Sequence, residues 1–358
     1  MIDPGNWDKQ KQRLLALWEN EIVDRPCISV SAWKKDARHQ PEPMPENEAD
    51  RLRWITDPEW LHRRMLHRVE NTWYGGESRP IFWSNFGTAG HAKYFRGSRF
   101  AFTKDTVWYG PSLEAGEMPV YEGLDGFLKT ERDCLAWMAR EGAGRYFVSL
   151  TDNCGILDAL EHLRGANDLL TDLLDDPDWV KDACHTITDG WLASYETLHA
   201  ATRDNNNGGC THGWMHTWSP GRMQQLQVDF SVMLSPDMYA EFAMPELRRL
   251  TEWLDHSVYH LDGQEQIRHL DHILSLERLH MIQWTPVAGQ PPTSELMPVL
   301  RRIQQAGKGL VLFPKKRELG DLMENLSPRG VMLCVNDAAD EDEARAIVKM
   351  AEAWKEPV

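Results

Sequence analysis

The sequence predicts an α/β protein, a (β/α)8 TIM barrel with an N-terminal helical extension. Three observations lead there. Short apolar runs recur about eight times along the chain, the number that closes a barrel. The segments between them carry helical patterning, and such alternation implies parallel strands joined by crossover helices. The length of 358 residues is one at which such barrels run as one domain. A doubly wound open sheet is the structural runner-up, but no GxGxxG follows a strand and no GxxxxGK[ST] occurs, which lowers the odds of a nucleotide site.

Taken in order, Trp7, Leu14, Leu15 and Trp18 fall near helical spacing and predict a helix over 7–20, inside an extension of residues 1–24. Cys27–Trp33 reads as the first strand. The stretch Lys34–Asp50 is rich in Pro and Glu and reads as an excursion before a helix from Pro58 to Trp73. The next strands are Pro80–Phe86, Tyr146–Thr151, Gly209–Trp218, Ser257–Asp262, His280–Thr285, Leu310–Pro314 and Gly330–Val335. Helices are expected at Leu157–Leu163, Met238–Trp253, Pro298–Gln305 and Asp340–Trp354. With neither a low-complexity linker nor a repeat, residues 1–358 read as a single domain.

Composition excludes several functions. Lys and Arg total 39 against 55 Asp and Glu, a formal charge of −16, which repels nucleic acid and anionic lipid. Disorder is excluded by 42% hydrophobic residues and 16 Trp, ample material for a core. No apolar run approaches the ~20 residues that span a bilayer, and the start lacks the pattern of a signal peptide. Cys27, Cys134, Cys154, Cys184, Cys210 and Cys334 form no CxxC pair and read as reduced thiols, so a cytoplasmic location is expected.

Polar residues gather where predicted strands end. In Ser257-Val258-Tyr259-His260-Leu261-Asp262-Gly263, period two puts His260 and Asp262 on one side of the strand. Such a pair suits metal binding or proton transfer, since imidazole titrates near neutral pH and a carboxylate orients it. It equally suits a structural role, with Asp262 capping the next helix and His260 packed against a neighbour. Side chains two apart lie ~6.6 Å apart at Cα, within reach of one ion at a splayed strand end. On the next strand Gln283 is an inward polar group, followed by a Pro- and Gly-rich wall at 287–292. Cys334, near the end of the last strand, is a weaker third ligand, although a lone Cys in an apolar run is more often a small buried hydrophobe.

Cys210, His212, Trp214, His216 and Trp218 would share one face of a strand. An HxxxH pair on a strand spans ~13 Å, too far for joint chelation. These residues are therefore expected to line a pocket for an apolar, partly aromatic ligand. Trp214, Trp218, Trp284 and Tyr259 are expected at the mouth, with His216 beside them. Asn85, Asp152 and Gln283 are expected to supply directional hydrogen bonds, although Asp152 also fits a helix N-cap.

Three passages resemble the uroporphyrinogen decarboxylase superfamily in its methyltransferase-like branch. They are TDNCGILDALEHLRGANDLLTDLLDDPDWV (151–180), WSPGRMQQLQVDFSVMLSPDMYAEFAMPEL (218–247) and VYHLDGQEQIRHLDHILSLERLHMIQWTPVAGQPP (258–292). The SPDMYAEFAMPEL run is the most specific, and the likeness covers residues from roughly 80 onward. The resemblance implies a (β/α)8 barrel that decarboxylates porphyrinogens or moves methyl groups to or from a corrinoid-carrying protein, often as a homodimer.

The decarboxylase branch carries an Arg-rich motif soon after an early Arg-Pro. Here Arg25-Pro26 is followed by CISVSAWKKDARHQ, and the second half of that motif is missing. Carboxylate side chains of a porphyrinogen would lose their charge partners. The methyltransferases typically hold zinc with a His-x-Cys pair and a later Cys. Here the pair is His260-x-Asp262, with the later position near Cys334 or Asp337. An Asp in place of Cys keeps a zinc ligand but hardens the site, which suits an oxygen- or nitrogen-bound methyl group.

The expected function is therefore methyl transfer between a small methoxylated or methylated substrate and a corrinoid protein, with zinc assistance and His260 and Asp262 as the catalytic pair. No DxHxxG motif is present, so cobalamin would be carried by the partner. The alternative is a decarboxylase or other lyase of the same barrel, acting without a corrinoid partner. A non-catalytic binding barrel ranks third, because buried polar groups are costly unless used or paired.

Overall fold

The computed structural model describes residues 4–37, 42–84, 86–104, 106–153 and 155–354. Its strands are β1 (Cys27–Trp33), β2 (Thr72–Gly76), β3 (Ile81–Trp83), β4 (Arg99–Phe102), β5 (Val107–Gly110), β6 (Phe147–Ser149), β7 (Cys210–Thr211), β8 (Trp218–Ser219), β9 (Met223–Leu226), β10 (His256–Asp262), β11 (Met281–Thr285), β12 (Gly309–Leu312) and β13 (Val331–Val335). Eight of these pair in parallel. Six form the run β1-β13-β12-β11-β10-β9, in which the first strand lies beside the last, and β3 pairs with β6. β2 adds an antiparallel edge to β1, while β4–β5 and β7–β8 are antiparallel hairpins. The result is a mixed α/β fold around a parallel sheet. It is compatible with a barrel, although the hydrogen-bonded circuit among the described residues is interrupted between β2 and β3 and between β6 and β9.

Local chemistry explains the elements. Asp57 caps the helix Pro58–Asn71 by accepting from the amides of Glu59 and Trp60, with Pro58 pre-set at the first helical position. Asp340 caps the final helix, Glu341–Ala353, whose first turn carries Glu341, Asp342 and Glu343 against the helix dipole. β12 and β13 are buried throughout and read as apolar runs, as strands covered on both faces do.

The predicted fourth strand, Gly209–Trp218, is a hairpin instead. Only Cys210–Thr211 and Trp218–Ser219 pair, and His212–Thr217 turns between them with His216 at φ 56°. The parallel strand beside β10 is Met223–Leu226. Its Gln224 and Gln225 are buried polar residues, so the hydropathy pattern hides it.

The N-terminal helix, Pro4–Trp18, lies under the strand starts. Trp7 packs edge-on against Phe147, the first residue of β6, at 4.9 Å and against Trp218 at 5.3 Å. Gln10 donates to the carbonyls of Gly76 and Ser78, ahead of β3. The Trp18 indole donates to the Trp218 carbonyl, and its ring meets His256 and His280, where β10 begins and just before β11. Just beyond the helix, Asn20 donates to the Gly307 carbonyl ahead of β12. One helix thus forms a floor under strand starts drawn from most of the chain. Beside it Glu77 is fully buried. Its carboxylate takes two hydrogen bonds from Arg25, one from Arg13 and one from the Ile28 amide, tying β1 to the segment before β3. Among the described residues no helix is long and apolar enough to cross a membrane.

Candidate functional site at the carboxyl ends of the strands

The chemistry gathers at the opposite end from that floor. Near the end of β10, His260 and Asp262 are partly exposed, whereas Tyr259 and Leu261, the residues that alternate with them, are fully buried. Strand alternation dictates this: residues two apart share a face, and their neighbours take the other. His260 and Asp262 are joined by Asp229, which follows β9. A nitrogen of His260 and one oxygen of each carboxylate all lie within 4.8 Å of one another, close enough to share one metal ion.

Each member is held by its surroundings. His260 hydrogen-bonds through Nδ1 to Gln283 Oε1, its register neighbour on β11, and Gln283 donates to the Thr285 hydroxyl at 2.6 Å. An amide oxygen only accepts, so Nδ1 carries the proton and Nε2 keeps its lone pair for a ligand. Asp229 accepts from Gln227, which in turn accepts from Gln225, at 2.7 and 2.6 Å. The other oxygen of Asp229, Oδ1, is buried and accepts no hydrogen bond among the described residues. Asp158 fixes the backbone here, accepting from the amides of Asp229 and Phe230 at 3.0 and 2.8 Å.

Burial, with Asp262 and Asp152 nearby, pushes the Asp229 carboxyl up to about 7. Burial and Asp229 push Asp158 to about 7 as well. Carboxylates crowded without a cation raise one another, and a divalent ion would reverse that. Two carboxylate oxygens, an imidazole nitrogen and one orphaned buried oxygen therefore fit a divalent cation of the harder kind, zinc with oxygen and nitrogen donors included.

The expected residues divide. His260, Asp262 and Gln283 come together. Asp152 stands close enough to act electrostatically on Asp229 but outside the three-residue group. Trp214 meets the His260 ring edge-on at 5.6 Å, and Trp214 and His216 both line a cavity of about 300 Å³. Asn85 lies outside the described residues.

Others require correction. Tyr259 points away from the mouth, and its hydroxyl accepts from Tyr239 on the helix Pro236–Phe242 at 2.9 Å. Trp284 takes the face opposite Gln283 and is fully buried in the core. Both fail for one reason: on strands whose mouth-facing residues are His260 and Gln283, the adjacent positions must face outward. Trp218 belongs to the floor, packed on Trp7 with its indole donating to Asn206. Cys334 is not a member of the metal-sized group. It is buried with its thiol toward the Met215 carbonyl at 3.5 Å, and burial pushes that thiol's pKa up. Asp337 is engaged too, accepting from the Lys316 amide. Asp229 stands third in the metal-sized group instead. Its signal was present in the DFSVMLSPDMY run, but only as an acid after a polar segment.

Comparison with known proteins is consistent with the architecture. The chain is similar in structure to a methyltransferase from Methanosarcina mazei, with a TM-score of 0.61 and 13% identity over 96% of this chain and 98% of that one. No protein-family model and no curated protein matches the chain. A likeness at that identity establishes a shared fold. Within that fold, the described group occupies the strand ends from which barrel enzymes build their sites.

A second buried network underlies the group. Glu131 is fully buried and receives hydrogen bonds from Tyr94 and Thr151, while Asn153 donates to Tyr94. Lys93 is the nearby cation, donating to the Phe86 carbonyl and Tyr109; burial pulls its ammonium down to about 8. Neither Glu131 nor Lys93 was legible as a partner, because a helix and a loop far apart in sequence bring them together.

Proposed function

We propose that this protein is a methyltransferase that takes a methyl group from a small O- or N-methylated substrate and passes it to a corrinoid protein. The observation that carries the reading is the Asp229–His260–Asp262 group at the strand ends of a fold shared with a methyltransferase. A divalent cation, with zinc the first choice, would be held by these three side chains and would supply Lewis acidity to the leaving oxygen or nitrogen.

The chain's own residues support that chemistry. The Thr285–Gln283–His260 relay holds the imidazole in one tautomer and leaves Nε2 as a donor atom. Asp158 and the Gln225–Gln227 pair orient Asp229. Trp214 covers one edge of His260 with apolar surface, which strengthens local electrostatics. When the methyl carbon departs, the bonding pair stays on the leaving oxygen or nitrogen. The negative charge that develops there is what a site of this kind must stabilise.

Porphyrinogen decarboxylation, the other branch, loses its anchor. Arg25, the arginine of the early Arg-Pro, is spent on Glu77 of its own chain.

Protein purified without chelators should carry a divalent metal by elemental analysis. Mixed with corrinoid proteins and a panel of methoxyaromatics and methylamines, it should produce the absorbance of methylcobalamin. Absence of turnover across the panel overturns the reading.

A further inference from the structure

Arg79, just ahead of β3, is buried and has no carboxylate within ion-pair distance among the described residues. Its guanidinium donates only to neutral oxygens, the carbonyls of Glu77, His216 and Thr217 and the hydroxyl of Thr211. The neighbouring acid, Glu77, is already saturated by Arg25 and Arg13. Burial lowers the Arg79 pKa to about 9, a shift that the nearby Glu77 charge opposes only in part.

Arg79 lines a cavity of about 300 Å³ that reaches Trp83, Trp214, Phe313 and Asn336 at the carboxyl ends of the strands. A second cation, Arg68, lines the same cavity and makes no hydrogen bond or ion pair with any described residue. No acidic side chain lines it among the described residues. Three of its lining residues carry buried polar atoms without a partner, namely Tyr74 Oη, His216 Nδ1 and Arg79 Nε. In a chain of net charge −16, an acid-free cavity lined by two guanidinium groups that make no ion pair among the described residues, and by side chains with unpartnered polar atoms, suits an anion. Its walls are aromatic, and its volume lies at the small end of ligand pockets, suited to a single ring. At the far wall, Trp214 separates the cavity from His260 by a ring-to-ring distance of 5.6 Å.

We propose that this cavity binds a small aromatic carboxylate, its carboxylate on the Arg68 and Arg79 side and its flat body between the aromatic walls, directed past Trp214 toward His260. The link to His260 rests on the methyl-transfer reading; the binding itself does not. Arg68 supplies the accessible half of the charge, as a fork that grips both carboxylate oxygens, while Arg79 acts from beneath as a fixed positive field.

Titration of the wild-type protein with para-methoxybenzoate, followed by tryptophan fluorescence and calorimetry, tests this, with para-methoxybenzamide and inorganic phosphate as controls. The carboxylate should bind at least about tenfold more tightly than the isosteric amide, the range of a charge-assisted hydrogen bond, and phosphate should not displace it. Arg68→Gln, an exposed substitution whose melting curve should match wild type, should erase most of that preference, and Arg68→Lys should keep part of it. Equal binding of acid and amide, no binding of either, efficient displacement by phosphate, or an unchanged preference in Arg68→Gln would each overturn the proposal. The titration uses neither metal nor methyl acceptor, so its failure leaves the methyl-transfer reading standing, and absent turnover with intact binding does the reverse.

Discussion

Asp158 spends both carboxylate oxygens on the amides of Asp229 and Phe230, and so sets where the Asp229 side chain starts. Asp229→Ala should therefore lower zinc affinity as strongly as His260→Ala. Asp158→Ala should weaken it by about 10- to 100-fold, the usual cost of losing a group that orients a ligand. Cys334→Ser should leave metal content unchanged, since the thiol faces the Met215 carbonyl. Equilibrium dialysis with zinc reads all four variants, and loss of metal in Cys334→Ser would reinstate the thiol as a ligand. At this scale the sequence was half legible. His260, Asp262 and Gln283 follow from period-two alternation alone. That same alternation turns Tyr259 and Trp284, both expected at the mouth, to the opposite face. Asp229 was hidden because its position depends on Asp158, 71 residues away, and spacing carries no trace of such a contact.

Among the elements, the floor helix was visible and its role was not. Trp7, Leu14 and Trp18 are buried as the helical spacing requires, whereas Leu15 is 38% exposed and Leu17 takes its place inside. What the helix covers is a tertiary fact. Trp18→Ala should cost about 3–5 kcal/mol, the range for removing a buried aromatic, since the indole also gives up its bond to the Trp218 carbonyl. Glu77→Ala should cost a similar ~3–5 kcal/mol, because Arg25 is left as a buried, unpaired charge. Urea denaturation should show both as lower midpoints at unchanged slope; a shift below about 1 kcal/mol would mean that the floor or the pair contributes little. β9 was the harder case. A strand carrying buried Gln224 and Gln225 breaks the apolar pattern by which its neighbours were recognised, and the nearby His and Trp alternation drew the prediction onto a hairpin.

For the whole molecule, acid sensitivity follows from buried histidines. Burial pulls His91, His212 and His216 down to about 3 and His280 to about 4. Below the ordinary value near 6.5, the unfolded chain takes up these protons and the folded chain does not, so stability is present above pH ~6.5 and is lost as pH falls toward the folded values. Asp158, Asp229 and Glu131, all raised, act in the opposite sense over the same window. The histidines prevail, because His62, His199, His256 and His269 are also lowered. The melting temperature should fall between pH 6.5 and 5. His91→Gln, which removes a ring with both nitrogens unpartnered among the described residues, should reduce the accompanying fall in unfolding free energy by up to about 1.4 kcal/mol per pH unit. A melting temperature flat across the window would show that these rings meet water in the folded state.

The floor helix also sets a schedule. Asn20 bonds to a carbonyl 287 residues downstream, and Trp18 meets rings that arrive only slightly earlier. At about 5–20 residues per second of synthesis, this helix waits on the order of 15–60 s for the last of the strand starts it seals. Through most of that interval Trp18 lacks the His256 and His280 rings it packs against. The helix is thus a segment for a chaperone to shield, and its docking is completed late in folding.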